Sequence, residues 1–314
     1  MTPDSTAAEA VQRGVVFGWE VRSSLPFSYL RSGSGITLDV EERDAGPEPA
    51  GVPLLEWEPR PEHPFHARLH GFEGGHGVWI GGMGGFTEHP GDGGGAPRLT
   101  VPPGVEPVRR EERLWGIPAA LGLIERGDVA VHAAAVELDG RALLFAGPGR
   151  FGKTTLAARF LRDGHRVLAE DLSCVRPGPT PVVLPGPAML RVRRDVYERL
   201  HIEGAYAVAD DPERIHLALD EGLRGSSDPV PLAGIVFLRR GTPDVELFRV
   251  RPDQYLAELW SVSFNLPIDR DRLRHFDKVA QVAFSVPLWV LDRPMRFDTL
   301  DDVIERLVSS CLES

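Results

Sequence analysis

Residues 142–171 read ALLFAGPGRFGKTTLAARFLRDGHRVLAED, and this stretch decides the class of fold. The apolar run 142–146 has the length of a buried strand, and a glycine-rich turn separates it from residues 152–162, whose composition favours a helix. A second short apolar run, 165–169, ends in two acidic residues. Because a strand, a helix and a strand in this order form a βαβ unit, the sequence predicts an α/β fold.

The glycine-rich turn satisfies the pattern G-x-x-x-x-G-K-[S/T] in full at residues 147–154. Between a strand and a helix, this pattern is typical of a loop whose backbone N–H groups surround nucleotide phosphates, helped by the positive end of the helix. Lys153 is expected to reach the β- and γ-phosphates, and the Thr154 hydroxyl to contact Mg²⁺. The alternative is a glycine-rich turn without a ligand. The residues predicted to bind the nucleotide are Gly147, Pro148, Gly149, Arg150, Phe151, Gly152, Lys153, Thr154 and Thr155.

Lysine is almost absent from the chain. The 35 basic residues comprise 33 Arg and two Lys, which are Lys153 and Lys278. A compact ammonium differs from a guanidinium chiefly where a point charge must enter a narrow anion site. The presence of Lys153 in the glycine-rich turn therefore favours a phosphate site there.

Two acids, Glu170 and Asp171, follow the second strand of the βαβ unit. That strand is expected to run parallel to the first, so its carboxyl end should lie at the same sheet edge as the glycine-rich turn. There, one carboxylate can hold Mg²⁺ while the other accepts a proton from an attacking hydroxyl or water. The alternative is a pair of solvated acids at the end of a strand.

The remaining sequence divides into two parts by its pattern of apolar and turn-forming residues. Up to about residue 107, short apolar runs alternate with clusters of Pro, Gly and Ser. This pattern predicts a β-rich N-terminal domain at 1–107, followed by an α/β domain at 108–314. Residues 71–95 contain 12 Gly, which indicates either hairpin turns or a flexible loop over a ligand.

Two further elements are predicted ahead of the glycine-rich turn. Apolar residues at helical intervals indicate one helix between Pro107 and Arg126. The dipeptide Asp139-Gly140, which is favoured in tight hairpins, then separates the strands expected at 129–138 and 141–146.

Charge and composition argue against several classes of protein. With a net charge of −11 and no basic stripe, the chain is not expected to bind nucleic acid. Residues 1–14 lack the basic and apolar regions of a secretory signal, and no run of about 18 apolar residues indicates a membrane span. Cys174 and Cys311 have no metal or disulfide spacing. The expected location is therefore the cytoplasm.

Three segments together resemble one family: residues 132–136 (HAAAV), 143–155 (LLFAGPGRFGKTT) and 167–172 (VLAEDL). They are similar to the HPr kinase/phosphorylase family and its HPr-kinase-like relatives, which carry a His before a strand hairpin, a phosphate loop and a closely following acid pair. The resemblance covers about residues 128–305. It implies a P-loop kinase domain of the HPr kinase C-terminal type, with a βαβ unit in a mixed sheet. From Val15 onward, the N-terminal part looks more like the leader half of kinase-like proteins from peptide-modification clusters.

The resemblance also implies ATP and Mg²⁺ as cofactors, a serine hydroxyl of a peptide or small protein as acceptor, and roles for single residues. Glu170 stands where the family has its catalytic Asp, and Asp171 where it has its metal-binding Asp. The Glu is a departure, because it is one methylene longer. A second departure is that residues 185–194 lack the later glycine-rich signature of true HPr kinases, which argues against phosphorolysis and against HPr as the substrate. The predicted catalytic residues are Glu170, Lys153 and His132, and the predicted metal ligands are Thr154 and Asp171.

Other features implied by the family are less closely defined. His132 either lies near the phosphates or serves the structure alone. Because HPr kinases assemble into rings, a homo-oligomer is one expectation for this chain. The candidate arginines for stabilising a transferring phosphoryl group are Arg150, Arg191 and Arg193.

Three functions stay open at the level of sequence. The first is a kinase that transfers the γ-phosphoryl group of ATP to a Ser or Thr hydroxyl of a peptide or small protein. The second keeps the same machinery but phosphorylates a small-molecule hydroxyl. The third is a regulatory protein that binds ATP without transferring phosphate, which the Glu at position 170 allows.

Overall fold

The computed structural model describes residues 12–42, 52–58, 66–72, 75–81, 86–90, 98–101, 104–210, 214–265 and 269–312. These residues form an α/β structure with three β-sheets and eight α-helices. Among the described helices, none is both long and apolar enough to cross a membrane.

The first part of the described chain is rich in strands. Its eight strands form one sheet in the order β1-β2-β3-β8-β7-β6-β5-β4. The strands are β1 (Gln12–Val16), β2 (Trp19–Ser23), β3 (Ile36–Glu42), β4 (Leu55–Trp57), β5 (Ala67–Phe72), β6 (Gly75–Ile80), β7 (Phe86–Pro90) and β8 (Arg98–Val101). Strand β3 is parallel to both of its neighbours, β2 and β8. The division of the chain into domains at residue 107 stays a prediction.

The glycine-rich segment 71–95 contributes to this sheet. Its described residues include the end of β5, all of β6 and all of β7, which pair in antiparallel register. Positions 73–74, 82–85 and 91–95 lie outside the described residues. Both hypotheses for this segment, hairpin turns and a loop over a ligand, therefore stay predictions.

Two helices occupy the segment in which the sequence predicts one. Helix α1 (Pro107–Leu114) begins after Glu106, whose carboxylate accepts hydrogen bonds from the backbone N–H of Val108 and Arg109 at 3.1 and 3.0 Å. Helix α2 (Ile117–Glu125) has a proline, Pro118, in its first turn. Proline cannot donate a backbone hydrogen bond and crowds the carbonyl four residues before it, so a continuous helix is interrupted at this point.

The remaining chain contains twelve described strands and six helices. The strands are β9 (Val129–Val131), β10 (Ala133–Leu138), β11 (Arg141–Ala146), β12 (Arg166–Ala169), β13 (Ser173–Arg176), β14 (Val182–Leu184), β15 (Met189–Arg193), β16 (Ala205–Asp210), β17 (Arg214–Leu219), β18 (Val230–Arg239), β19 (Glu246–Val250) and β20 (Leu288–Asp292). The helices are α3 (Lys153–Arg162), α4 (Arg194–Leu200), α5 (Glu221–Arg224), α6 (Pro252–Val262), α7 (Asp269–Ser285) and α8 (Leu300–Leu312). A short 3-10 turn, Phe297–Thr299, precedes α8.

Nine of these strands form a mixed sheet. Seven follow the order β12-β10-β11-β18-β14-β13-β9, while β20 pairs with β18 and β19 pairs with β20. Strands β11, β18 and β20 are parallel to one another. Strand β10 is antiparallel to both β11 and β12, so β12 has the same direction as β11 with one strand between them. The carboxyl ends of β11, β12, β18 and β20 therefore face the same edge of the sheet, as the sequence predicts for β11 and β12.

The strand predicted at 129–138 divides at His132. Residues before it form β9, which pairs with β13, and residues after it form β10, which pairs with β11. The backbone N–H of His132 donates to the carbonyl oxygen of Val262 at 2.8 Å, outside the sheet ladder. The predicted hairpin turn is present, because Asp139 and Gly140 have φ angles of 49° and 73°.

Helices cover both faces of the mixed sheet. Leu143 and Phe145 of β11 pack with α3, α4 and α8 on one face. Leu144 and Ala146 pack with α6 and α7 on the other. This alternation follows from the two-residue period of a strand. The result is a three-layer arrangement in which β11 is buried on both faces.

A buried arginine, Arg31, connects the first part of the chain to strand β12. Its guanidinium donates to the carbonyl oxygens of Gly186 and Val167 at 2.7 and 2.8 Å, and also to that of Arg224. The side chain is 1% exposed. A buried cation is tolerated when its donors are all used, so these carbonyls fix Arg31 in place.

We predict that Arg31→Met lowers the free energy of unfolding by about 3 kcal/mol or more. The substitution leaves several buried carbonyls without a donor, and each costs about 1–3 kcal/mol. The matched control is Arg22→Met, since Arg22 is 47% exposed and pairs only with Glu20 among the described ion pairs. Its effect should stay within about 0.5 kcal/mol. Urea unfolding measures both, and equal losses would contradict the role given to Arg31.

Candidate functional site

The glycine-rich turn lies between the end of β11 and the start of α3. Gly147, Arg150 and Gly152 have φ angles of 149°, 66° and 86°, so the backbone reverses repeatedly within six residues. The turn borders a cavity of about 400 Å³ at the edge where the parallel strands end. A Cβ on Gly152 would overlap the guanidinium of Arg293, so both the φ angle and the available space require glycine at this position.

Lys153 begins α3 and is 6% exposed. Its Nζ donates to the carbonyl oxygens of Gly147 and Pro148 at 2.8 and 3.1 Å. Burial lowers the pKa of Lys153, while the negative charges of Asp171 and Glu170 act in the opposite direction. The ammonium is thus held by the turn itself, next to the cavity.

Thr154 contacts Glu170 and not Asp171. The Thr154 hydroxyl donates to Glu170 Oε1 at 2.7 Å, and Glu170 Oε2 accepts from Nε of Arg191 at 3.1 Å. Arg214 Nη1 lies 3.8 Å from Glu170 Oε1. Since the Glu170 side chain is only 2% exposed, both of its oxygens are turned toward protein groups.

Asp171 faces the cavity. Its side chain is 51% exposed, Oδ1 lies 3.1 Å from Nε2 of His132, and Oδ2 accepts from Nη2 of Arg191 at 3.0 Å. Burial raises the pKa of Asp171, but the hydrogen bond from His132 and the charge of Arg191 outweigh it and hold that pKa well below its usual range. Asp171 is therefore the carboxylate that is both ionised and accessible.

Arg191, on β15, connects the acids of the site. Besides Glu170 and Asp171, it contacts Glu112 of α1, with Nη1 3.1 Å from Oε1. Burial lowers the pKa of Arg191, yet the three carboxylates outweigh this and the net pKa is raised. Arg191 is permanently charged and lies within ion-pair distance of both adjacent acids, and its charge helps to lower the pKa of Asp171.

The structure brings most of the predicted site residues together. The cavity is lined by His132, Gly149, Arg150, Gly152, Lys153, Thr154, Thr155, Asp171, Arg191 and Arg193. The carbonyl oxygens of Gly147 and Pro148 accept hydrogen bonds from Lys153, and Glu170 accepts one from Thr154, which lines the cavity. Phe151 instead packs against the core, with Arg240 over its ring at 4.7 Å.

The charged residues of this region that sequence reasoning missed include Glu112, Arg214, Arg240 and Arg293. Two of them, Arg240 and Arg293, could have been identified from their positions in the sequence. Arg240 and Arg293 directly follow β18 and β20, and residues after parallel strands meet at one sheet edge. Glu112 and Arg214 had no such signal, because Glu112 lies on α1 and Arg214 lies on β17, in a separate sheet of three strands in the order β15-β17-β16.

Comparisons with known proteins give a structural likeness but no match in sequence. No family model matches the chain, and no curated protein matches it. Among solved structures, the chain is similar to the HPr(Ser) kinase/phosphatase from Coxiella burnetii, with 12% sequence identity and a TM-score of 0.30. The match covers 57% of this chain and 93% of that one. The family assignment stays a prediction.

We predict that Gly152→Ala destabilises the ligand-free protein by about 1–3 kcal/mol, because alanine is strained at this φ angle and its methyl group would displace Arg293. Gly149→Ala is the matched control in the same turn, since a Cβ there meets nothing within 4 Å. It should change the free energy of unfolding by less than about 1 kcal/mol. Chemical denaturation of both variants tests this, and an equal response would show that the turn tolerates a Cβ at either position.

Proposed function

We propose that this protein is an ATP-dependent kinase that transfers the γ-phosphoryl group to a Ser or Thr hydroxyl of a peptide or small protein. One observation carries the proposal. A lysine-bearing phosphate-loop pattern, a threonine bonded to a buried glutamate, and an exposed aspartate bonded to a histidine all border one cavity. Phosphoryl transfer needs these three functions: binding of phosphate, a cation site and an acceptor of a proton.

The loop supports binding of the nucleotide phosphates. Its backbone turns through three positive φ angles and ends at the N-terminus of α3, where unpaired N–H groups and the helix dipole favour an anion. The Lys153 ammonium is already at the loop, and a phosphate oxygen would replace a carbonyl oxygen as its acceptor.

The donor set also suits Mg²⁺, which prefers hard oxygen ligands and takes only one or two carboxylates from a protein. Thr154 Oγ1 and Glu170 Oε1 are the oxygens that would hold it, and when bound the ion would neutralise charge on the phosphates. This assignment gives the metal to Glu170, whereas the family resemblance gives it to Asp171.

Asp171 is the better acceptor for the proton. The acceptor hydroxyl oxygen forms a bond to the γ-phosphorus, the bond from that phosphorus to the bridging oxygen of ADP breaks, and the hydroxyl proton passes to an Asp171 oxygen. Glu170 is too buried to meet an acceptor, while half of the Asp171 side chain is exposed to the cavity. A carboxylate of low pKa suffices, since positioning contributes more than basicity in this reaction. His132 acts as a positioning residue.

The test incubates the protein with ATP, Mg²⁺ and Ser- or Thr-containing peptides encoded beside its gene, and follows the mass of the products. We expect one added phosphate, lost at least about 100-fold in Lys153→Ala because the charge on the transferring group is no longer balanced. Lys278→Ala is the matched control, since it removes the other lysine of the chain. Phosphate on small hydroxyl compounds alone would favour the small-molecule kinase. Nucleotide binding without any product would favour the regulatory protein.

We predict that substitution of Asp171 and substitution of Glu170 impair different steps. Asp171→Asn should lower kcat about 10²- to 10⁴-fold with little change in the affinity for Mg²⁺ and nucleotide. Glu170→Gln should weaken Mg²⁺-dependent nucleotide binding first. Steady-state kinetics and calorimetric titration with and without Mg²⁺ separate the two effects. The reverse pattern would return the roles to those that the family resemblance implies.

A further inference from the structure

Arg293 is a buried cation next to the glycine-rich turn. It directly follows β20, which is parallel to β18 and so ends at the same sheet edge as β11. Its side chain lines the cavity and lies against Gly152, the last residue of the turn before α3. The residue is only 2% exposed.

Two of the three guanidinium nitrogens of Arg293, Nε and Nη2, are buried without a hydrogen-bond partner among the described residues. None of the ion pairs found among those residues includes Arg293, and burial is the sole cause of its pKa shift. The neighbouring acid, Asp292, is turned away and accepts from the backbone N–H of Gly241 and Thr242 at 2.5 and 3.2 Å. Burial accordingly lowers the pKa of Arg293 to about 10.

The other buried arginines of this region show how unusual this arrangement is. Arg191 contacts three carboxylates, and Arg31 donates to backbone carbonyls. Arg296, which lines the same cavity, is exposed to solvent and pairs with Asp298 at 3.1 Å. An uncompensated buried charge is costly, and a planar guanidinium is the side chain best suited to bind two phosphate oxygens at once.

We propose that Arg293 is a phosphate-binding residue, which completes with Lys153 the cationic side of the cavity. The proposal rests on the proposed function in assuming that the ligand carries phosphate. The contact of Arg293 with Gly152 favours the phosphate chain of the nucleotide as the source. Free phosphate has the same chemistry and is the other source that an experiment must separate.

The experiment compares wild type with Arg293→Met, which keeps much of the length of the side chain and removes its charge. Calorimetric titrations use ADP, a non-hydrolysable ATP analogue and inorganic phosphate, and thermal unfolding is followed without ligand. We expect affinity for at least one of these to fall about tenfold or more, while the melting temperature of the ligand-free protein stays the same or rises. The control, Arg306→Met, removes an exposed charge on α8 that Asp302 already balances and that does not line the cavity, and it should change affinity about twofold at most.

The ligand that responds identifies the phosphate. A loss for the ATP analogue alone assigns Arg293 to the terminal phosphate, and a shared loss with ADP assigns it to the inner phosphates. A loss for inorganic phosphate alone assigns it to a separate phosphate site. Unchanged affinity for all three, or a lower melting temperature without a loss of affinity beyond that of Arg306→Met, overturns the proposal and leaves Arg293 a structural residue.

Further results distinguish phosphate binding by Arg293 from the proposed kinase activity. If Arg293→Met does not fold, Arg293→Lys retains the charge without the two-pronged donor. The lysine variant should then fold and bind more weakly than wild type, and wild-type affinity in it would overturn the proposal. Binding that depends on Arg293 without phosphoryl transfer would refute the kinase alone. A wild-type protein that binds none of the three ligands would refute both.

Discussion

The site depends on one guanidinium. Arg191 contacts Glu170, Asp171 and Glu112 at 3.0 to 3.1 Å, and without it two adjacent carboxylates would repel each other beside the cavity. Its planar fork allows contacts in three directions, which a lysine could not make. The arginine therefore holds both acids in place, with Glu170 buried against Thr154 and Asp171 facing the cavity. From the sequence, Arg191 was only a candidate for stabilising a phosphoryl group. In the structure, its guanidinium is already paired with these three carboxylates.

Arg191 and Arg31 also explain why the two parts of the chain form one site. Arg31 donates to carbonyls of β12, the strand that leads into Glu170, and Glu112 of α1 reaches Arg191 from the same side. The apolar cluster of the first sheet further includes Leu172 and Cys174, which follow the acid pair. The acids are thus supported on one side by the mixed sheet and on the other by residues from before β9.

What the sequence could predict was local. The strand, turn and helix order at residues 142–162, the direction of β12 and the hairpin at Asp139 follow from spacing and turn chemistry, and these agree with the structure. The single helix expected from Pro107 to Arg126 was wrong because apolar spacing alone outweighed Pro118. Contacts between distant segments could not be predicted. Which acid contacts Thr154 depends on the path of the chain after β12. The arginines that line the cavity are only a few of the 33 arginines in the chain.

The scarcity of lysine gives the buried ammonium of Lys153 a practical meaning. A reagent that acylates primary amines has only two lysine side chains to find, Lys153 within the loop and Lys278 on α7. Burial protects the first from such a reagent as long as its Nζ is bonded to the carbonyls of Gly147 and Pro148. The labelling rate of Lys153, compared with that of Lys278 in the same molecule, therefore measures how often this loop opens.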